Sequence, residues 1–148
     1  MGCDKKDRAA QFNFNNIERA LDERLWPRTP AGEYVQYAGR GTWESVIVET
    51  VEANRIFFCF SGLWWGLGEG PSGFGELRST VSLHDDQAEY VSREFTNKKC
   101  IVSMHYYPDK LEVKQTGSAS DCGFGHNVTA DGTFQRIRSS AKCWPEQK

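Results

Sequence analysis

The chain has 148 residues, 39% hydrophobic and 26% charged, the composition of a folded domain and not of a disordered tail. Lys and Arg number 18 against 20 for Asp and Glu, and the resulting net charge of -2 argues against a general nucleic-acid binder. No apolar run approaches the roughly 20 residues that a helix needs to cross a bilayer.

Residues 1–12 read as a polar, flexible tether, and residues 13–148 as a single β-rich domain without repeats. Over residues 14–25, Phe14, Ile17, Leu21 and Leu25 recur at intervals of three and four, which predicts one amphipathic N-terminal α-helix. Asn15 or Asn16 is placed to cap it, and Pro27 and Pro30 end it. Beyond them the period shifts to two. Residues 43–52 are β-branched and largely alternating, Ala53-Asn54 is a turn, and residues 55–60 form a strongly apolar strand. A Gly-rich stretch over residues 61–76 reads as a long loop. Strands are then expected at 77–83, 88–95, 100–107, 111–115 and 133–138, with turns at Pro108-Asp109 and Asp131-Gly132. The fold class is therefore mainly β: an antiparallel barrel or sandwich of about 6–8 strands with one N-terminal helix. No alternation of strands and helices suggests a parallel α/β fold.

Five cysteines leave one over after pairing. Cys3 stands apart, followed by the charged run 4–8. A mature bacterial lipoprotein begins in this way, on a lipidated Cys with a polar tether, and Met1-Gly2 would then replace a removed signal peptide. N-myristoylation at Gly2 competes poorly, because Lys6 stands where that motif wants Ser or Thr; a chance cysteine in a tail is the third reading. Cys59, Cys100, Cys122 and Cys143 allow three pairings. The favoured one joins Cys100 to Cys122, a strand start to a Gly-rich turn, and leaves Cys59–Cys143 to tie the tail to a core strand. Two disulfides imply an oxidising compartment. The three His lie at no zinc-site spacing to a cysteine pair, so neither a metal nor another cofactor is expected.

Four segments carry possible chemistry. Gly68-x-Gly70-x-x-Gly73 formally matches the dinucleotide fingerprint, but Pro71 and a strand follow where a helix must start, so nucleotide binding is excluded. The residue types of 61–76 suggest instead a loop presenting Trp64, Trp65, Leu67 and Phe74 to a partner; the alternative is that the tryptophans fold inward and plug a barrel end. Residues 121–128, with Gly123 and Gly125 beside Cys122, read as a turn with positive φ pinned by a disulfide. A hydrolase using His126 or His105 with Asp121 is a minority reading, since no nucleophile pairs legibly with either. His84-Asp85-Asp86 with Glu89 reads as a solvated turn before a metal site. Tyr106 and Tyr107, at the 108–109 turn, are candidates for a binding rim. Asn127-Val128-Thr129 is a glycosylation sequon, relevant only in a eukaryotic secreted protein.

Gly41-Thr42-Trp43 resembles the Gly-x-Trp signature of lipocalin-like barrels. That resemblance implies that Trp43 closes a barrel end beneath an Arg of the last strand, Arg136 or Arg138. Residues 100–138 are broadly similar to the periplasmic lysozyme inhibitors, small disulfide-bonded β-barrel lipoproteins that insert a Ser-Gly loop with a Tyr into the enzyme cleft. Ser61-Gly62 and Ser72-Gly73 are present here, but neither is followed by that Tyr. The leading expectation is a non-enzymatic protein of the bacterial envelope, periplasmic and lipid-anchored at Cys3. It would inhibit or neutralise a hydrolase or toxin through the 61–76 segment and touch the membrane only through its anchor. The alternative is a calycin-like carrier of a small apolar ligand, lined by Phe57, Val81, Val102 and Val113. A carrier needs a cavity of at least ~300 Å³.

Overall fold

A computed structural model of the protein describes residues 29–39, 42–65 and 71–144; at 42, 65, 71 and 72 it describes the backbone alone. The tether, Cys3 and the expected helix at 14–25 lie outside these residues. Eight strands run in chain order: β1 (Gly32–Gly39), β2 (Thr42–Glu52), β3 (Arg55–Trp65), β4 (Pro71–His84), β5 (Gln87–Ser92), β6 (Cys100–Tyr106), β7 (Lys110–Thr116) and β8 (Gly132–Arg138). Each pairs antiparallel with the next, and β8 returns to β1, so the sheet closes into an up-and-down barrel. Among the described residues the one helical element is the 3-10 turn Ser120–Cys122.

Strand β1 has no counterpart in the sequence reading. Its Glu33-Tyr34-Val35-Gln36-Tyr37 run has the right residue types, but flanking glycines blur its ends. Two elements are longer than expected. Of the Gly-rich 61–76 stretch expected as a loop, residues 61–65 continue β3 and residues 71–76 open β4, in register from Gly62↔Gly75 to Trp64↔Gly73.

Side-chain parity decides what fills the barrel. Tyr34 faces in from β1, Val46 and Val48 from β2, and Ile56, Phe58 and Phe60 from β3. Val102, Met104 and Tyr106 follow from β6, Leu111 and Val113 from β7, and Phe134 and Arg136 from β8; all are buried. The same parity corrects three expectations. Trp43 is one residue out of phase with Val46 and Val48; it points outward and is 58% exposed, while Glu44 takes the interior position beside it. Phe57 alternates with the inward Ile56 and Phe58 and lies on the outer surface, against Arg78. Tyr106 belongs to the interior, with its hydroxyl 3.4 Å from the Met104 sulfur, and forms no part of an exposed rim.

One end, the base, is closed by Arg136. The guanidinium lies 5.9 Å from the ring centroid of Tyr34, and Nη2 donates to the Ala31 carbonyl at 2.6 Å. The Tyr34 hydroxyl donates to the Pro30 carbonyl at 2.6 Å, and burial pushes its pKa up to about 12. An aromatic ring does sit by a buried Arg of the last strand, but the ring is Tyr34; Trp43 stands at the other end of the barrel.

The other end is closed by a cap, residues 117–131, which buries Cys122, Phe124, Val128 and Ala130. Glycine makes room for it. A Cβ at Gly62 would stand 2.6 Å from Glu44 Oε2, and one at Gly73 would strike the His126 backbone. The Gly125 N–H donates to the Phe74 carbonyl at 2.7 Å, bringing the cap directly against β4. Gly62, Gly73 and Gly75 thus face inward on strands where the cap descends, and Phe124 reaches Phe60 with centroids 5.3 Å apart.

Both disulfides expected from the sequence form. Cys100–Cys122 fixes the cap to the start of β6, with Cα atoms 4.9 Å apart, and Gly123 follows at φ 74°. Cys59–Cys143, with Cα atoms 5.9 Å apart, ties the C-terminal segment across the outer face of β3. Such bonds are compatible with an extracytoplasmic location. Among the described residues no helix is long and apolar enough to cross a membrane.

Candidate binding sites: an aromatic hairpin face and an open seam

The aromatic residues singled out from the sequence part company. Trp64 faces in, half-buried against the core, and meets His126 edge to face at 5.0 Å, so for this residue the inward alternative holds. Trp65 lies on β3, and Leu67 is outside the described residues. Phe74 faces out and is 52% exposed. Tyr107 is half-buried, stacked on His105 at 4.5 Å with Lys110 Nζ 4.9 Å from its ring.

Three further residues complete this face. Tyr37 and Trp43 pair across β1 and β2, their rings 5.3 Å apart, and both are exposed. Leu63 pairs with Phe74 across β3 and β4. Ser45↔Ser61 joins the two hairpins, so Trp43 and Leu63 each stand two residues further toward the same tip. The outcome is an outward row of Tyr37, Trp43, Leu63 and Phe74 on paired strands at the cap end. Sequence reading took Trp43 for a core residue; the visible cue was that Val46 and Val48 set the opposite parity.

The second feature is a gap in the barrel wall. The turn between β4 and β5 has Asp85 at φ 51° and Asp86 at φ 62°, the two-residue geometry that suits a tight hairpin. Yet pairing stops after His84↔Gln87 and Leu83↔Ala88. Strand β4 then follows β3 from Arg55↔Ser82 to Trp65↔Pro71, and β5 follows β6 from Gln87↔His105 to Ser92↔Cys100. Between them opens a cleft of about 1000 Å³, with inward Ser79, Val81, Ala88, Tyr90, Met104 and Val113 among its lining. A smaller hollow of about 380 Å³ lies further along the seam, between Glu76, Leu77 and Arg78 on one side and Tyr90, Glu94 and Phe95 on the other. Met104 and Val113 of the core form part of the cleft lining. Of the four expected carrier-lining residues, Val81 and Val113 line the cleft, Val102 is buried in the core and Phe57 is outside.

Two carboxylates show contrasting electrostatics. Glu44 is buried beneath the cap, where Gln36 Nε2 donates to Oε1 at 2.7 Å, and desolvation pushes its pKa up to about 7 against that hydrogen bond. Gln36 also donates to the Asp131 carbonyl at 2.9 Å, which links the carboxylate to the cap. Asp121 is held below the usual carboxylate range, first by the Thr96 hydroxyl at 2.6 Å and then by the Ser118 N–H at 2.9 Å. These bonds brace the cap; none of them comes from a histidine. His84 and Asp85 approach to 3.3 Å on the exposed turn.

Compared with protein-family models, with curated proteins and with solved structures, the chain matches none.

Proposed function

We propose that the chain is a non-enzymatic binding protein of the bacterial envelope. It is anchored by a lipid at Cys3 and neutralises a protein partner, a hydrolase or a toxin. The observation that carries this reading is the outward row of Tyr37, Trp43 and Phe74 at 57%, 58% and 52% exposure. Aromatic rings lose little rotamer freedom on docking and supply most interface hot spots. Here they stand on hydrogen-bonded hairpins, so the partner meets a preformed surface. The two disulfides suit an oxidising compartment. Relative to the sequence reading, the contact face keeps Phe74, gives up Trp64, and spreads onto β1 and β2.

The test is capture from an envelope extract by the wild-type chain and by Trp43→Ala and Phe74→Ala, followed by affinity measurement on the protein recovered. Each substitution is expected to weaken binding by about 2 kcal/mol, the usual hot-spot threshold. Capture equal to wild type in both variants would overturn this surface. Trp64→Ala is not a suitable probe, because Trp64 packs on the core.

The cleft favours a second reading, a carrier of a small apolar ligand, since its volume exceeds the ~300 Å³ such a ligand needs. Saturable palmitate binding, abolished by filling the cleft, is its signature.

A further inference from the structure

We infer that the β4–β5 seam binds an extended polypeptide segment, which adds to the wall as a ninth strand. The inference rests on the proposed function in taking a protein as the partner. Both borders of the seam are strand edges. If pairing continued from Leu83↔Ala88, Ser82 would meet Glu89 and Val81 would meet Tyr90, but neither pair forms. Each edge strand is held by its other neighbour. Strand β4 is locked to β3, which carries Cys59–Cys143, and β5 is locked to β6, which carries Cys100–Cys122. Tyr90 turns inward to meet Phe58 of β3 edge to face at 6.2 Å.

Edge backbone calls for main-chain donors and acceptors along its whole length, and an extended chain supplies them on both sides. An apolar small molecule supplies none. Both faces of each border line the cleft: Ser79, Val81, Ala88 and Tyr90 on the inner side, Thr80, Ser82, Glu89 and Val91 on the outer, so the inward residues of the segment should be small or medium and apolar. On the outer side Glu76, Glu89, Glu94 and Glu112 are exposed against Arg93 and Lys114, while Arg78 is engaged by the Trp144 carbonyl and the rings of Phe57 and Trp144. Outward positions should therefore favour Lys or Arg. The partner chemistry is an extended segment alternating apolar and basic residues.

The experiment titrates the full, disulfide-bonded chain with a synthetic peptide alternating valine and lysine, read by amide hydrogen exchange and calorimetry. Exchange over residues 76–82 and 89–92 is expected to slow at least tenfold. The same peptide N-methylated at every second residue keeps its side chains but loses the donors for one edge, and should bind at least tenfold more weakly. Val81→Trp, which places an indole in the cleft, should weaken binding to the same degree while the chain still melts cooperatively. If Val81→Trp does not fold, the N-methylated peptide still decides. Equal binding of the two peptides, no slowing of exchange, or palmitate binding where the peptide fails would each overturn the inference. Trp43→Ala and Phe74→Ala should leave peptide binding unchanged. If they abolish partner capture while the peptide shows no protection, the hairpin face stands and the added strand falls. Protection by the peptide in a chain whose capture ignores both substitutions is the reverse case.

Discussion

The two ends of the barrel bury charge in opposite ways. At the base, the Arg136 guanidinium is surrounded by carbonyl oxygens. Those of Ala31, Pro108, Arg138 and Ser139 lie within 3.5 Å of its nitrogens. At the cap end, the Glu44 carboxylate receives one side-chain amide, from Gln36. Polypeptide backbone offers a buried cation many acceptors, since each carbonyl has two lone pairs. It offers a buried anion N–H groups that the strand ladders already use. Arg136 therefore keeps its charge inside the barrel, whereas Glu44 gives its charge up near neutral pH. The base is a fixed plug, and the cap sits on a group that titrates.

The largest effect should come from the base. Arg136→Met removes the donors while leaving several carbonyls enclosed, each costing about 1–3 kcal/mol if unsatisfied. Chemical denaturation should show a loss of at least about 3 kcal/mol, or no folded protein. A loss below about 1 kcal/mol would mean that water reaches the base and that the plug is not dry.

The cap should be weaker, because a crosslink supplies part of its hold. The Cys100–Cys122 bond spans 22 residues, and replacing both cysteines by Ser should cost about 2–4 kcal/mol. Proteolysis should then cut first within residues 117–131. First cleavage elsewhere would show that Phe124 and Val128 hold the cap without the disulfide.

Sequence alone reached an antiparallel barrel or sandwich, seven of the strands and both disulfides, since these rest on alternation, turn residues and cysteine placement. It missed β1, whose glycines hide its ends, and it took residues 61–76 for a loop. Gly62, Gly73 and Gly75 mark inward positions vacated for the cap, which is a long-range reason invisible in a local window. The aromatic face was half legible. Phe74 was named from residue type, as an exposed aromatic of an expected loop, but Trp43 was drawn inward by a short motif although Val46 and Val48 set the other phase. The seam could not be read at all, because the residues of β4 and β5 look like those of paired strands and only the closure of the barrel separates them.

Glu44 supplies the pH test of the difference between the ends. Its folded-state pKa, about 7, lies above its ordinary 4.5, so the folded chain holds the proton more tightly than the unfolded one. The stabilisation this brings is complete below about pH 4.5 and is lost as pH rises through about 7. Asp121 acts the other way and lower down: its depressed pKa adds stability above its ordinary 3.8, lost as pH falls further. The two windows do not overlap. Melting temperature should thus decline from pH 5 to pH 8 in the wild type and stay flat in Glu44→Gln, which keeps an acceptor for Gln36. An identical decline in both would assign the pH dependence to another group.

The smallest expected effect is at Phe74, and its smallness is the point. Phe74 and Trp64 lie on the same hairpin with opposite parity, one 52% exposed and the other packed on the core beside His126. Exposed substitutions away from caps, cores and networks usually stay within ±0.5 kcal/mol, so Phe74→Ala should melt like the wild type. Trp64→Ala opens a void under the cap and should melt clearly lower. The pair therefore separates contact from support on one element, with no change of backbone partner. A Phe74→Ala protein as unstable as Trp64→Ala would mean that Phe74 is covered by part of the chain itself. The outward aromatic row would then be a seat for that segment and not a face for a partner.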